Sequence, residues 1–243
     1  LPVGSNILTN VACGLAKLPL SHEPGEGWIY GPGLLVAGRI VEVISGMPFQ
    51  DFVQKRILDP LGMKDTHFFL EPKDAPRLTS YYQPDGKGGL ALIDPGSEKS
   101  IRIRGSKTYY SGSGGLNSTA IDYFKFSQMI LQDGELNGVR IATPSTIAKM
   151  KTDQTPLNLE AAITPTDDLK NNGFTFGYAI KRKDIGNDPR PAGTIYWSGA
   201  TGPIFFIDPS HEMIAMVLYQ RPSTSPIKIR TDFKSWVMKS LIK

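Results

Sequence analysis

The chain has 243 residues, 40% of them hydrophobic and 21% charged, which is typical of one large globular domain or two modest ones. Its formal net charge of +4 comes from scattered basic residues, so the charge argues against a nucleic-acid-binding surface. The single cysteine, Cys13, excludes an intrachain disulfide, and no apolar run approaches the ~18 residues of a membrane span. We expect Cys13 to be a buried structural residue.

Helical patterns dominate the first part of the chain. Residues Leu1 to Lys17 are ambiguous and fit a short helix, and Pro19 to Gly27 is a loop rich in Pro and Gly. Gly33 to Ser45 predicts a helix that stops at Gly46. One face of that helix is apolar and consists of Leu34, Ala37, Val41 and Ile44. A second helix is predicted from Pro48 to Leu58.

Turn and capping signals organise the middle of the chain. Pro72 to Ser100 lacks periodicity and is rich in Gly and Pro, which predicts a long excursion. Thr119, with an acidic residue three positions later, fits a capping box that starts a helix ending near Gln132. Asn137-Gly138 predicts a tight turn, and Thr143-Pro144 predicts the start of another helix.

From Phe176 onward the pattern favours strands. Four β-like runs follow one another: Phe176 to Lys181, Thr194 to Trp197, Ile204 to Ile207 and Met213 to Gln220. A terminal helix carries the stripe Phe233, Trp236, Val237, Ser240 and Leu241. This order predicts an α+β fold, with a mostly helical region at residues 1–175 and an antiparallel sheet plus terminal helix at residues 176–243.

Few short motifs point to chemistry on their own. No HExxH or CxxC spacing occurs and the three histidines are isolated, so we expect no metal site and no cofactor. The glycines from Gly112 to Gly115 lack the Lys-Ser/Thr ending of a phosphate loop, and a tight turn explains them better. Ser225 and Lys228 form the chain's one Ser-x-x-Lys, but short matches arise by chance and this one follows the last predicted strand.

Three ordered blocks are more specific. The first is Tyr30-Gly31-Pro32, followed by Glu42-Val43-Ile44-Ser45-Gly46 and Pro60-Leu61-Gly62-Met63-Lys64-Asp65-Thr66. The second is Ser113-Gly114-Gly115-Leu116-Asn117-Ser118-Thr119-Ala120-Ile121-Asp122-Tyr123, and the third is Tyr196-Trp197-Ser198-Gly199-Ala200-Thr201-Gly202. Together they resemble the penicillin-recognising serine hydrolases, namely class C β-lactamases, DD-peptidases and family VIII-type esterases. The resemblance implies a β-lactamase/transpeptidase-like fold and an acyl-enzyme mechanism.

The resemblance also implies roles for individual residues. Tyr30 would assist proton transfer, Trp197, Ser198 and Gly199 would form a pocket wall, and the Ala200 N–H would be an oxyanion-hole donor. Without the resemblance, a tyrosine before a helix is usually a packing residue, and Trp-Ser-Gly on a strand is usually core plus turn. Pro32 stands where the β-lactamases have asparagine, and Trp197 where they have lysine. Both departures favour the esterase branch.

The family's serine nucleophile and its lysine normally lie well upstream of the tyrosine motif. We therefore expect this chain to be the C-terminal part of a longer protein, lacking the early strands and the nucleophile helix, and inactive alone. Its expected partners are a small ester or amide substrate, with an N-terminal segment or a second copy covering the incomplete sheet. The alternatives are a non-catalytic domain that binds a peptidoglycan or acyl ligand, a structural scaffold, and a β-lactamase or D-alanyl-D-alanine carboxypeptidase. Family resemblance implies a bacterial envelope or secreted setting.

Overall fold

The computed structural model describes residues 6–155, 172–184, 188–222 and 228–241. The helices are α1 Asn6–Leu15, α2 Gly33–Ser45, α3 Phe49–Val53, α4 Ile101–Arg104, α5 Ala120–Leu131, α6 Pro144–Met150 and α7 Ile229–Leu241. The strands are β1 Tyr81–Pro84, β2 Leu90–Asp94, β3 Glu135–Leu136, β4 Val139–Arg140, β5 Asn172–Phe174, β6 Ala179–Lys181, β7 Ile195–Ser198, β8 Ile204–Asp208 and β9 Met213–Val217. Within these described ranges, no helix is long and apolar enough to cross a membrane.

Strands β5 to β9 form one antiparallel sheet in which each strand pairs with the next along the chain. The α+β prediction is therefore confirmed, although the first predicted strand is too long. Phe176 and Gly177 form the tip of a turn, since the Thr175 N–H bonds the Tyr178 carbonyl and Gly177 has a φ of 114°. The sheet also begins earlier than predicted, at Asn172. The division of the chain at residue 175 stays a prediction.

The two faces of the sheet carry separate hydrophobic clusters because side chains alternate along each strand. On one face Ile195, Phe205 and Ile207 pack with residues of the helical region, including Leu58 and Ile130. On the other face the cluster joins the sheet to α7: Ala179, Tyr196, Phe206, Phe233, Val237 and Met238. The helical region and α7 therefore enclose the sheet from opposite sides.

The predicted stripe of α7 is wrong at Trp236, which is 67% exposed. Met238 is buried against the sheet. These residues are two positions apart, which corresponds to about 200° around an α-helix, so they cannot share a face. Phe233 and Val237 do pack on the sheet as expected.

The apolar face predicted for α2 is mostly exposed in the described structure. Leu34 and Ile44 are 43% and 80% exposed, whereas Gly38 and Glu42 are buried. The Glu42 carboxylate accepts the Phe49 N–H at 3.0 Å and is paired with Arg39 at 2.9 Å. Glu42 thereby fixes the start of α3 against α2.

Candidate active site

Tyr30 and Trp197, from the first and third sequence blocks, lie against each other. Tyr30 stands in the segment before α2 and Trp197 in β7, yet their ring centroids are 5.4 Å apart with an interplanar angle of 36°. Tyr30 is 54% exposed, and its hydroxyl forms no hydrogen bond with the part of the chain that the structure describes. Two residues separated by 167 positions thus form one open aromatic surface.

Two further aromatic residues extend this surface and were missed by the sequence analysis. Phe174 of β5 meets Trp197 edge-on at 5.4 Å, and Trp28 lies 4.9 Å from Phe174. Trp28 could have been recognised from the sequence, because it lies two residues before Tyr30. Nothing local could have flagged Phe174, because the sequence around β5 shows no strand pattern. We call Trp28, Tyr30, Phe174 and Trp197 the aromatic wall.

The turn after β7 presents the backbone group predicted to bind an oxyanion. Ser198 pairs with Ile204, and the Gly199 N–H bonds the Pro203 carbonyl at 2.8 Å. The Gly202 N–H then closes the turn on the Gly199 carbonyl at 3.0 Å. Ala200, between them, is exposed, and its N–H donates to no acceptor among the residues described. An exposed N–H held in a closed turn is available to a ligand.

Pro32 sits at the N-cap of α2, two residues after Tyr30. It is exposed and its carbonyl accepts the Leu35 N–H at 2.9 Å. Proline has no side-chain donor or acceptor, so this position supplies helix geometry and cannot supply the amide that an asparagine would offer.

Asp122 ties the first and second sequence blocks together and has no part in the open surface. Its buried carboxylate accepts the Asp65 N–H at 2.7 Å and the Thr66 hydroxyl at 3.0 Å, and pairs with Lys125 at 2.9 Å. The predicted capping box is therefore half formed. Thr119 does accept the Asp122 N–H, but the Asp122 side chain reaches across to the preceding block instead of back to Thr119.

The glycine run serves close packing. A Cβ on Gly112 would lie 2.4 Å from the Leu34 carbonyl oxygen of α2, and a Cβ on Gly115 would lie 2.7 Å from the Ser111 carbonyl oxygen. These contacts agree with the tight turn favoured from the sequence. They also bring the second block directly against the helix that follows Tyr30.

Two other candidates from the sequence contribute nothing to this site. Cys13 is exposed on α1, so the expectation that it is buried is wrong. The short α1 leaves that side chain outside the core. Ser225 lies outside the described residues, so its pairing with Lys228 stays untested.

A buried charged cluster lies behind the site, on the α7 face of the sheet. The Arg190 guanidinium stacks over the Tyr196 ring at 3.8 Å and bonds Asp188, which also pairs with Lys234 of α7 at 3.3 Å. Burial raises the pKa of Asp188, but the hydrogen bonds and charge of Arg190 outweigh it and hold that pKa well below its usual range. This cluster joins α7 to the segment that precedes β7, the strand that carries Trp197.

A profile of the family described as Beta-lactamase matches residues 12–233. The chain belongs to this family. An uncharacterized protein of Mycobacterium tuberculosis is 31% identical over 222 residues, covering 85% of this chain and 52% of that protein. A lovastatin esterase of Penicillium rubens is 42% identical over 122 residues, covering 49% of this chain and 30% of that protein.

Comparison with solved structures identifies the corresponding fold. The structure of simvastatin synthase LovD from Aspergillus terreus superposes with a TM-score of 0.78 at 23% identity, covering 92% of this chain and 58% of that chain. The β-lactamase/transpeptidase-like fold expected from the three blocks is therefore confirmed. The chain spans about half the length of the mycobacterial relative, at 52%.

Proposed function

We propose that this β-lactamase-family chain is the C-terminal part of a serine ester hydrolase that works through an acyl-enzyme. The observation that carries the proposal is the contact of Tyr30 with Trp197, beside a turn whose Ala200 N–H is unused by the described residues. An exposed phenol, a flat apolar wall and a free backbone donor are the parts an acyl-transfer site needs around its nucleophile.

In this proposal Tyr30 moves a proton and Ala200 stabilises the developing oxyanion. A phenol with an ordinary pKa of ~10 needs a nearby cation to act as a base at neutral pH. We infer that this cation is the lysine of a Ser-x-x-Lys motif in a part of the protein outside this chain, and that its serine is the nucleophile. On that basis the chain alone is inactive.

Substrate preference follows from the aromatic wall and from Pro32. Trp197 offers one neutral N–H and a flat apolar face where a lysine would offer a cation for a substrate carboxylate. Pro32 offers no side-chain hydrogen bond at all. Both favour an uncharged acyl group over a β-lactam or D-alanyl peptide, and the similarity to a lovastatin esterase points the same way.

Two alternatives are a non-catalytic binding protein and an enzyme that acts on a different substrate. A non-catalytic protein could use the aromatic wall to bind an acyl or peptidoglycan ligand, since Tyr30 and Trp197 would stack on it without any nucleophile. A β-lactamase or D-alanyl-D-alanine carboxypeptidase would need a cation for the substrate carboxylate, which Trp197 does not supply.

Replacing Tyr30 by Phe in the intact protein tests the proposal. We expect the kcat for p-nitrophenyl esters to fall by ~10²-fold or more, because the ring and its packing stay while the proton-transfer group is lost. Tyr123→Phe is the matched control: it removes the same hydroxyl from a ring that packs on Phe205 at 4.9 Å in the core. It should lower stability and leave kcat unchanged.

Unchanged turnover in the Tyr30→Phe protein would reduce Tyr30 to a packing residue. Turnover of a chromogenic cephalosporin with no ester turnover would contradict the esterase assignment. Binding of acyl ligands without hydrolysis of either substrate would favour the non-catalytic alternative.

A further inference from the structure

Arg230, the second residue of α7, contacts the turn that follows β7. Its guanidinium donates through Nη2 to the Gly199 carbonyl and through Nε to the Gly202 carbonyl, the latter at 3.2 Å. These carbonyls belong to the first and last residues of the four-residue turn, which is closed by the Gly202 N–H on the Gly199 carbonyl. One side chain therefore bridges both ends of the turn.

The bond to Gly199 acts directly on the proposed oxyanion donor. The Gly199 carbonyl and the Ala200 N–H belong to the same peptide unit, and in a planar trans peptide these two groups point in opposite directions. Holding the oxygen toward α7 therefore aims the Ala200 N–H away from α7, on the exposed side of the turn. A cationic donor on the oxygen also polarises the peptide, which makes its N–H a stronger donor.

We propose that Arg230 is a positioning residue that fixes the direction of the Ala200 N–H for oxyanion binding. The inference rests on the proposed function, because it gives the Ala200 N–H a catalytic use. A preorganised donor stabilises developing charge without a reorganisation cost at the moment of reaction. Gly199 has no Cβ, so without such contacts its backbone could rotate more freely than that of other residues.

The Gly202 N–H also bonds the Gly199 carbonyl, at 3.0 Å, and further contacts hold the rest of the turn. The Arg221 N–H bonds the Thr201 carbonyl at 2.6 Å, and a Cβ on Gly202 would lie 2.3 Å from the Tyr219 ring. Both restrain the far end of the turn. Among the described side chains, the guanidinium of Arg230 is the one that bonds the Gly199 carbonyl.

A purely structural role for Arg230 is the competing explanation, and α7 offers a matched control. Lys234 lies one helical turn later and pairs with Asp188 at 3.3 Å, so it also anchors α7 to the sheet side of the molecule. Comparing Arg230→Met with Lys234→Met therefore separates anchoring of α7 from orientation of the turn.

The experiment measures p-nitrophenyl ester kinetics and the affinity for an alkyl boronic acid, whose tetrahedral adduct mimics the oxyanion, in the intact protein. For Arg230→Met we expect kcat to fall by about 10–100-fold with KM changed less than about threefold, and boronate affinity to fall by a similar factor as kcat. Arg230→Lys should recover part of both losses, since lysine can donate to one carbonyl. Lys234→Met should lower the melting temperature and keep kcat.

The proposal is overturned if Arg230→Met lowers the melting temperature while kcat and boronate affinity stay at wild-type values. A second readout needs no turnover: the backbone amide resonance of Ala200 should move in Arg230→Met and not in Lys234→Met. If the wild-type protein neither hydrolyses esters nor binds the boronate, the proposed function fails. In that case the inference about Arg230 is overturned if the Ala200 amide chemical shift is the same in Arg230→Met as in wild type. A changed chemical shift supports the conclusion that Arg230 orients the Ala200 N–H.

Discussion

Replacing Asp122 by Ala removes the contact that joins the first two sequence blocks. The Asp65 N–H and the Thr66 hydroxyl would lose a buried carboxylate acceptor, and Lys125 would lose its ion pair while keeping its bond to the Gly62 carbonyl. An unsatisfied buried donor costs about 1–3 kcal/mol, and breaking one side of a buried pair costs about 3–5 kcal/mol. Lys125 is 31% exposed and can turn to water, which lowers its share. We therefore expect a loss of about 3–5 kcal/mol of folding free energy.

Asp122→Asn separates the contribution of the hydrogen bonds to Asp65 and Thr66 from that of the ion pair with Lys125. The amide keeps one oxygen for the Asp65 N–H and Thr66, so what disappears is the charged bond to the partly exposed Lys125, worth about 1 kcal/mol. Urea unfolding followed by circular dichroism measures both variants. For a chain of this size the Ala variant should also melt about 6–20 °C lower.

Asp65→Ala is the control for this series. Its carboxylate pairs with Arg77 at the surface, while the backbone N–H that Asp122 accepts is retained. We expect its unfolding midpoint to stay near the wild-type value, because surface ion pairs contribute little. If the Asp122→Ala protein is as stable as the Asp65→Ala protein, Asp122 does not stabilise the fold by joining the first two blocks, and the reasoning is refuted.

Two further predictions concern the aromatic wall and the charged cluster behind it. Trp197→Lys should lower kcat/KM for uncharged aromatic esters by up to about tenfold, because one aromatic contact between Trp197 and the substrate ring is worth about 0.5–1.5 kcal/mol. It should raise kcat/KM for esters that carry a carboxylate, because the lysine supplies a cation. If the ratio of kcat/KM for uncharged esters to kcat/KM for carboxylate-bearing esters stays the same, the assignment of Trp197 to the substrate pocket is contradicted. The folded-state pKa of Asp188 lies below its unfolded value of ~3.9, so its stabilisation is complete above that value and declines as the pH falls through the folded-state pKa. The melting-temperature gap between wild type and Asp188→Asn should therefore narrow as the pH is lowered from about 5 to about 2.5, and a gap independent of pH would refute this sign.

Local signals predicted the elements well where they were self-contained. The helix Gly33–Ser45 has the predicted bounds, because glycine at position 46 takes a φ of 67° and ends it. Thr143 caps α6 with Pro144 in the first turn, as predicted. Asn137 and Gly138 both have positive φ and join β3 to β4 in a two-residue hairpin.

Tertiary contacts decided what local signals could not. Glu42 and Asp122 are charged residues on helices, yet both carboxylates are buried and accept backbone N–H groups, from Phe49 and from Asp65 respectively. A buried carboxylate overrides the hydrophobic period when it satisfies donors that would otherwise be unpaired. The family resemblance implied that Tyr30 and Trp197 belong to one cleft, but not that their rings are in contact. The hydrogen bonds of Arg230 were not, because no local pattern links a terminal helix to a strand turn.

The two halves of the candidate site are held by different kinds of contact. The turn at Ala200 is fixed by hydrogen bonds to Pro203, Arg221 and Arg230, all within the described chain. Tyr30 is held by ring contacts with Trp28 and Trp197, and its hydroxyl bonds no described residue. Hydrogen-bonded backbone has a defined direction, whereas stacked rings tolerate rotation and sliding.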